Sequence, residues 1–200
     1  MIAKLRLYIA GAVLAAVVGL VFLSGPTQAA GDGKDIPATV KKIGEMFKKK
    51  DAKGAATHAA ASIKNIEELS ELMKMFKTRN KEGLGIGEKA LTNPSKDGIE
   101  VYLRDLARDV PANVAKQADA LELTGYWIAA MGELSIAQEG KGKVGGSKKT
   151  KKAWVGWSAD MRDAGLAFAK AAQSKGGQEI KTAASKVNAT CNNCHSVFKE

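Results

Sequence analysis

The chain's only two cysteines and one of its two histidines stand together near the C-terminus, as Cys191, Cys194 and His195. The order Cys-x-x-Cys-His is the attachment signal of a c-type haem. On a helix these three positions lie on one face, so both thiols can reach the porphyrin vinyl groups while the imidazole reaches the iron. The motif therefore predicts one covalently attached haem c, with His195 on the iron.

Three other roles for these residues are less well supported by the sequence. A redox-active Cys-x-x-Cys normally follows a strand and opens a helix, where the thiol pKa falls, whereas this motif stands near the end of the last helical pattern. Zinc would need His58 as a fourth ligand, and the adjacent Cys194 and His195 rarely both bind one tetrahedral ion. A disulfide between the two cysteines would leave the histidine unexplained.

The segment that carries the motif has the pattern of an amphipathic helix. Ile180, Ala184 and Val187 recur at helical spacing, and Cys191 and Phe198 continue the same stripe. Because the motif is in phase with this stripe, we expect the haem to face the interior of a helix bundle. An accidental Cys-x-x-Cys-His in a loop would show no such phase.

Helical periodicity also governs the rest of the chain. Ala and Lys dominate and β-branched residues are thinly spread, which favours helices over strands. Glycines and Asn93-Pro94 indicate an irregular loop over residues 80–98, and Asp97 at its end is suited to cap the next helix. The apolar stripes predict helices over residues 36–47, 59–76, 99–107, 114–137, 154–171 and 180–198. The expected fold is all-α, an antiparallel four-helix bundle with an extra helical insertion and the haem on the C-terminal helix.

Residues 1–29 are typical of an export signal. Lys4 and Arg6 form a basic start, residues 7–23 carry no charge, and small residues follow at the positions that a signal peptidase inspects. We expect cleavage of this segment, which leaves residues 30–200 as one haem-binding domain in the periplasm or otherwise outside the cytoplasm. The alternative is an uncleaved membrane anchor, because the apolar run is long for a signal.

The charge of the chain narrows the class of partner. The formal net charge is +10, which favours acidic redox partner proteins or an anionic membrane surface. Basic residues interleaved with aromatics are missing, so nucleic acid is not expected. The six lysines of residues 139–152 favour a solvated connector over a docking patch. Ser/His/Asp sets and phosphate-binding loops are also missing, and we therefore do not expect an enzyme.

The C-terminal quarter resembles the last two helices of class II cytochromes c, the cytochrome c-prime group. The shared features over residues 154–199 are an aromatic-led helix, a glycine turn, an Ala-rich helix and the terminal sequence CNNCHSVFK. Residues 51–76 are similar to that family's second helix. Residues 80–150 have no counterpart there, so the chain resembles a variant with an inserted helical segment.

The resemblance implies roles for residues on the histidine side of the haem. His195 would be the proximal iron ligand, Phe198 would pack beside the haem, and Lys199 would lie near the proximal pocket or a propionate. The alternatives are a core aromatic at Phe198 and an exposed helix-end lysine at Lys199. Members of that family often pair through their first two helices, which makes a homodimer an expectation for this chain.

The sixth coordination position of the iron decides the mechanism. Methionine sulfur there raises the potential and favours electron transfer, whereas an apolar residue leaves the iron open to a small gas. In the family this position comes from the first bundle helix, which here puts Met46 or Phe47 over the haem, with Met46 as the tentative distal ligand. If residues 54–78 form that helix instead, the candidates are Met73, Met75 and Phe76.

These patterns lead to one main functional hypothesis and two rivals. The main one is an exported monohaem cytochrome c that carries one electron. The first rival is a five-coordinate haem protein that binds nitric oxide or carbon monoxide as a sensor or scavenger. The second is a small haem peroxidase, for which His58 is the only histidine left to act as a distal base.

Overall fold

The computed structural model describes residues 35–138 and 150–198, except for the side chain of Phe198. Their seven α-helices are α1 (Ile36–Lys48), α2 (Ala52–Ser62), α3 (Leu69–Lys74), α4 (Ile99–Arg108), α5 (Ala118–Ala137), α6 (Lys151–Ser174) and α7 (Gly177–Phe198). Short 3-10 turns cover Ile63–Asn65, Arg79–Lys81 and Val114–Gln117. The predicted all-α helical bundle is confirmed. The expected export signal and most of the Gly/Lys connector lie outside these residues, and no helix within them is long and apolar enough to cross a membrane.

Helix α5 is the centre of the bundle. It is buried along most of its length, and α1, α2 and α6 all pack against it. Because α5 has apolar or small residues on every side, it reads as a core helix rather than an amphipathic surface helix.

Helices α5 and α6 meet along a seam of small residues. The position of a Cβ at Gly125 lies 2.5 Å from the amide nitrogen of Ala169, and a Cβ at Gly165 would lie 2.6 Å from that of Ala129. Residue numbers that rise along α5 therefore meet numbers that fall along α6, so the two helices are antiparallel. The missing side chains let the backbones approach closely, which fixes the position of α6 relative to the core.

The turn after α6 brings α7 back along the bundle. Lys175 ends α6 in the left-handed conformation, with φ of 58°, and α7 begins at Gly177. Sequence patterning assigned this turn to the glycines at 176 and 177, but the left-handed residue is the lysine before them. Helix α7 then buries Ile180, Ala184 and Val187, as its stripe predicts, and packs against α6 and α4.

The helix expected over residues 59–76 is instead two helices. Helix α2 ends at Ser62, the chain is extended at Ile66, and α3 begins after Glu68. Glu68 and Glu71 form a reciprocal capping box at the start of α3, with each side chain accepting from the other residue's backbone amide. This cap and the extended residue interrupt the helix, so the prediction of one continuous helix was wrong.

Asp97 does not cap α4, contrary to expectation. Its carboxylate is 2% exposed and accepts from the Arg79 side chain at 2.9 Å and from the Ile86 amide at 2.8 Å. Gly98 precedes α4 with no side-chain cap. Asp97 therefore ties the two ends of the loop between α3 and α4 together, and this tie places the start of α4.

Candidate functional site

The last turns of α7 form one wall of a cavity of about 420 Å³. Cys191, Cys194 and His195 all line it, as expected for three positions on one helix face. The cysteines are free thiols and half-buried. His195 is exposed, so it lies where the cavity opens to solvent. The structure therefore brings the three motif residues together at a single site.

Both thiols are held in their neutral form. Burial raises the pKa of Cys191 to about 11, and the nearby Glu100 carboxylate adds to this effect. Burial also raises the pKa of Cys194. A redox-active Cys-x-x-Cys has the opposite property, a thiol pKa lowered toward neutrality. This difference is physical evidence against disulfide-exchange chemistry at the motif.

Helix α6 forms the aromatic wall of the cavity. Trp154, Trp157, Ser158 and Met161 line it from one helix face. The indole N–H of Trp154 donates to the carbonyl oxygen of Ser135 on α5 at 2.7 Å. The sequence analysis noted the two tryptophans only as the aromatic start of this helix, and it missed their place in the site. Their shared phase with Met161 was the available signal.

Helix α3 and the residues just after it form another wall. Leu69, Met73 and Phe76 line the cavity at helical spacing, and Ser70 and Lys77 lie on the same side. Phe76 is buried and Met73 is half-buried. This wall is apolar at its centre and carries one cation at its edge.

Helix α4 supplies the remaining side of the cavity through Glu100 and Leu103. The Glu100 carboxylate accepts from the Lys77 ammonium at 3.1 Å, and both side chains are more than half exposed. An exposed pair of this kind contributes at most about 1 kcal/mol to stability. Its charges therefore remain available to a ligand at the cavity edge.

One polar atom of the cavity wall has no partner. The hydroxyl of Ser135 is buried and makes no hydrogen bond among the residues that the structure describes. Buried hydroxyls normally have a partner, because leaving one unsatisfied costs about 1–3 kcal/mol. Because this hydroxyl has almost no accessible surface, it lies behind the cavity wall and is not exposed to the cavity itself.

The tentative distal ligand from the sequence lies elsewhere. Met46 is half-buried on α1, which packs against α5 and α2, and it does not line the cavity. Phe47 and Met75 are buried in the core, also away from the cavity lining. Of the residues considered for the sixth position, the structure brings only Met73 and Phe76 to the cavity. Met46 as distal ligand therefore stays a prediction that the cavity lining does not support.

His58 is also remote from the motif. It lies on α2, outside the cavity lining, and burial together with the charge of Lys42 lowers its pKa. Within residues 35–138 and 150–198, no group of three or more Cys, His, Asp or Glu side chains is arranged to hold a metal ion. The zinc interpretation therefore loses its fourth ligand, and the peroxidase hypothesis loses its distal base.

Two of the predicted site residues lie at the C-terminal end of the described part of the chain. Phe198 ends α7, but its side chain is not described, and Lys199 lies outside the described residues. Their proposed places beside the haem therefore stay predictions.

Comparison with known proteins identifies no relative of this chain. No protein-family model matches the chain, and neither a curated protein nor a solved structure is significantly similar to it.

Proposed function

We propose that this protein is an exported, monohaem c-type cytochrome that carries one electron, with a class II-like arrangement of its haem motif. The observation that carries the proposal is the placement of Cys191, Cys194 and His195 on the wall of one largely apolar cavity. Haem attachment needs two free thiols and an imidazole on a shared face, beside space for a flat apolar ring. The three residues meet the first need and the cavity meets the second.

The cavity suits a prosthetic group in size and lining. Its volume of about 420 Å³ falls within the range of about 300–1,000 Å³ typical of ligand sites. Trp154, Trp157 and Phe76 supply broad apolar surfaces, and few polar groups interrupt them. Cys191 and Cys194 would hold the haem covalently, and His195 would ligate its iron.

A bound haem supplies a one-electron ferric–ferrous couple, and the chain's own residues set its surroundings. The tryptophans and Leu103 exclude water, which limits reorganisation when the charge changes. Lys77 is the only lysine or arginine among the described residues that line the cavity. It is therefore placed to pair with a carboxylate at the cavity edge, in competition with Glu100.

The charge of the chain supports protein partners that are acidic. The net charge of +10 would speed encounter with a negatively charged redox protein and make that encounter sensitive to salt. Export is part of the proposal because of the pattern of residues 1–29. A homodimer rests only on the family resemblance.

The attachment chemistry is tested by changing the two thiols together. In cells with a haem-attachment system, Cys191→Ala with Cys194→Ala should give polypeptide without covalent haem, seen as loss of haem stain on a denaturing gel. The matched control is Asn192→Ala with Asn193→Ala, which alters the two intervening positions and should keep the stain. A stained double-cysteine variant, or an unstained wild-type protein, would show that the proposal is wrong.

One observation favours a second function, the binding of nitric oxide or carbon monoxide. The α3 wall also presents Leu69 and Phe76, so an apolar residue over the iron would leave its sixth position open. A high-spin, five-coordinate spectrum of the purified protein would favour this function over electron transfer.

A further inference from the structure

Helices α3 and α7 both line the cavity and do not pack extensively against each other, so α3 is treated as the wall facing α7. Helices α4 and α6 pack directly against α7, so they flank the motif. Among the described helices, α3 alone makes no extensive packing contact with another helix, yet it shares the cavity lining with α7. The space between α3 and α7 is therefore the cavity itself.

Met73 occupies the middle of this facing wall. It lies between Leu69 and Phe76 on the cavity side of α3, while Leu72 on the other side is fully buried in the core. The burial of Leu72 fixes the rotation of the short helix, and this rotation directs Met73 to the cavity. Met73 is half-buried, so its side chain keeps the freedom to reach a ligand.

The other methionine of the cavity has a different position. Met161 lies on α6, which packs directly against α7, so it contacts the space from the flank. The two methionines are therefore not equivalent.

We propose that the sulfur of Met73 is the sixth ligand of the haem iron. This assignment rests on the proposed function and selects one of the alternative candidates, whereas aligning α1 with the family's first helix selects Met46. Thioether sulfur suits haem iron and raises its reduction potential, which fits an electron carrier. In this arrangement α7 supplies the covalent bonds and the histidine, and α3 supplies the opposite ligand.

The test compares methionine-to-leucine variants of the haem-loaded full chain. Met73→Leu should abolish the far-red absorption band of Met-ligated ferric haem and allow the ferrous form to bind carbon monoxide. Met46→Leu, outside the cavity, is the matched control and should keep the band, and Met161→Leu tests the other methionine of the cavity, whose loss should also leave the band. Leucine is close to methionine in volume, so each change should leave the fold intact.

A further variant separates ligation from a structural role. Met73→His should restore a low-spin spectrum with a lowered reduction potential, because imidazole replaces the thioether. A wild-type protein without the band, a Met73→Leu protein that keeps it, or a Met161→Leu protein that loses it would overturn the assignment. Haem stain on a denaturing gel is read in parallel, because its absence refutes the proposed function itself, whereas stained protein with one of these spectra refutes only Met73.

Discussion

The reactivity of Cys191 in the haem-free protein follows quantitatively from its surroundings. The cavity raises the thiol pKa from 9.0 to about 11, and at about pH 8 each pKa unit lowers the thiolate fraction about tenfold. Because the thiolate is the nucleophile, alkylation should be slower than in the unfolded chain by on the order of a hundredfold. The perturbation is Glu100→Gln, which removes a charge that raises this pKa and should accelerate the reaction.

The assay uses a Cys194→Ala background, so that Cys191 is the only thiol. Iodoacetamide is added at about pH 8 to the folded and the urea-unfolded chain, and the modified fraction is followed by intact mass. Glu45→Gln is the control, since this exposed carboxylate on α1 is remote from the cavity. Folded and unfolded rates within tenfold of each other would refute the reasoning, because the thiol would then be as solvated as in a free peptide.

Two further predictions concern the scaffold. Gly165→Ala should destabilise the protein by about 1–3 kcal/mol, because the added Cβ would lie 2.6 Å from the Ala129 amide nitrogen. Gly156→Ala on the same helix meets nothing within 4 Å and should stabilise it by up to about 1 kcal/mol; thermal melts with equal midpoints would count against the seam. Since the pKa of His58 is lowered from 6.5, the unfolded chain binds that proton more tightly, so stability is full above this pH and falls as the pH drops below it. His58→Gln should reduce this loss of stability at low pH, measured as the free energy of unfolding from urea titrations at several pH values. The same pH dependence in the variant and the wild type would contradict the prediction.

The C-terminal part of the site was predictable because its signals are local. Cys191 and His195 are about one helical turn apart, and Cys191 continues the stripe of the buried Val187, so the motif lines the cavity from one helix. Neither inference needs knowledge of another helix. Periodicity and motif spacing therefore suffice for this wall of the cavity.

The opposite wall was not predictable in the same way. Which helix faces α7 depends on how the chain packs across the loop between Lys74 and Ile99, and no spacing rule covers such a separation. Sequence alignment therefore favoured Met46, whereas the structure brings Met73 to the cavity. The start of α3 was not readable either, because glutamate, here Glu68, is not among the residues of the usual N-cap signature.

The loose attachment of α3 has a consequence for how the protein matures. The close seam of α5 and α6 and the buried stripe of α7 do not depend on α3, so the scaffold can form before any prosthetic group arrives. Segments with few packing contacts open at low free-energy cost. In the proposed cytochrome, α3 would be the segment that moves to admit the haem, and a bond to Met73 would hold it closed. Assembly of the site would then be the closing of one short helix on a scaffold that has already folded.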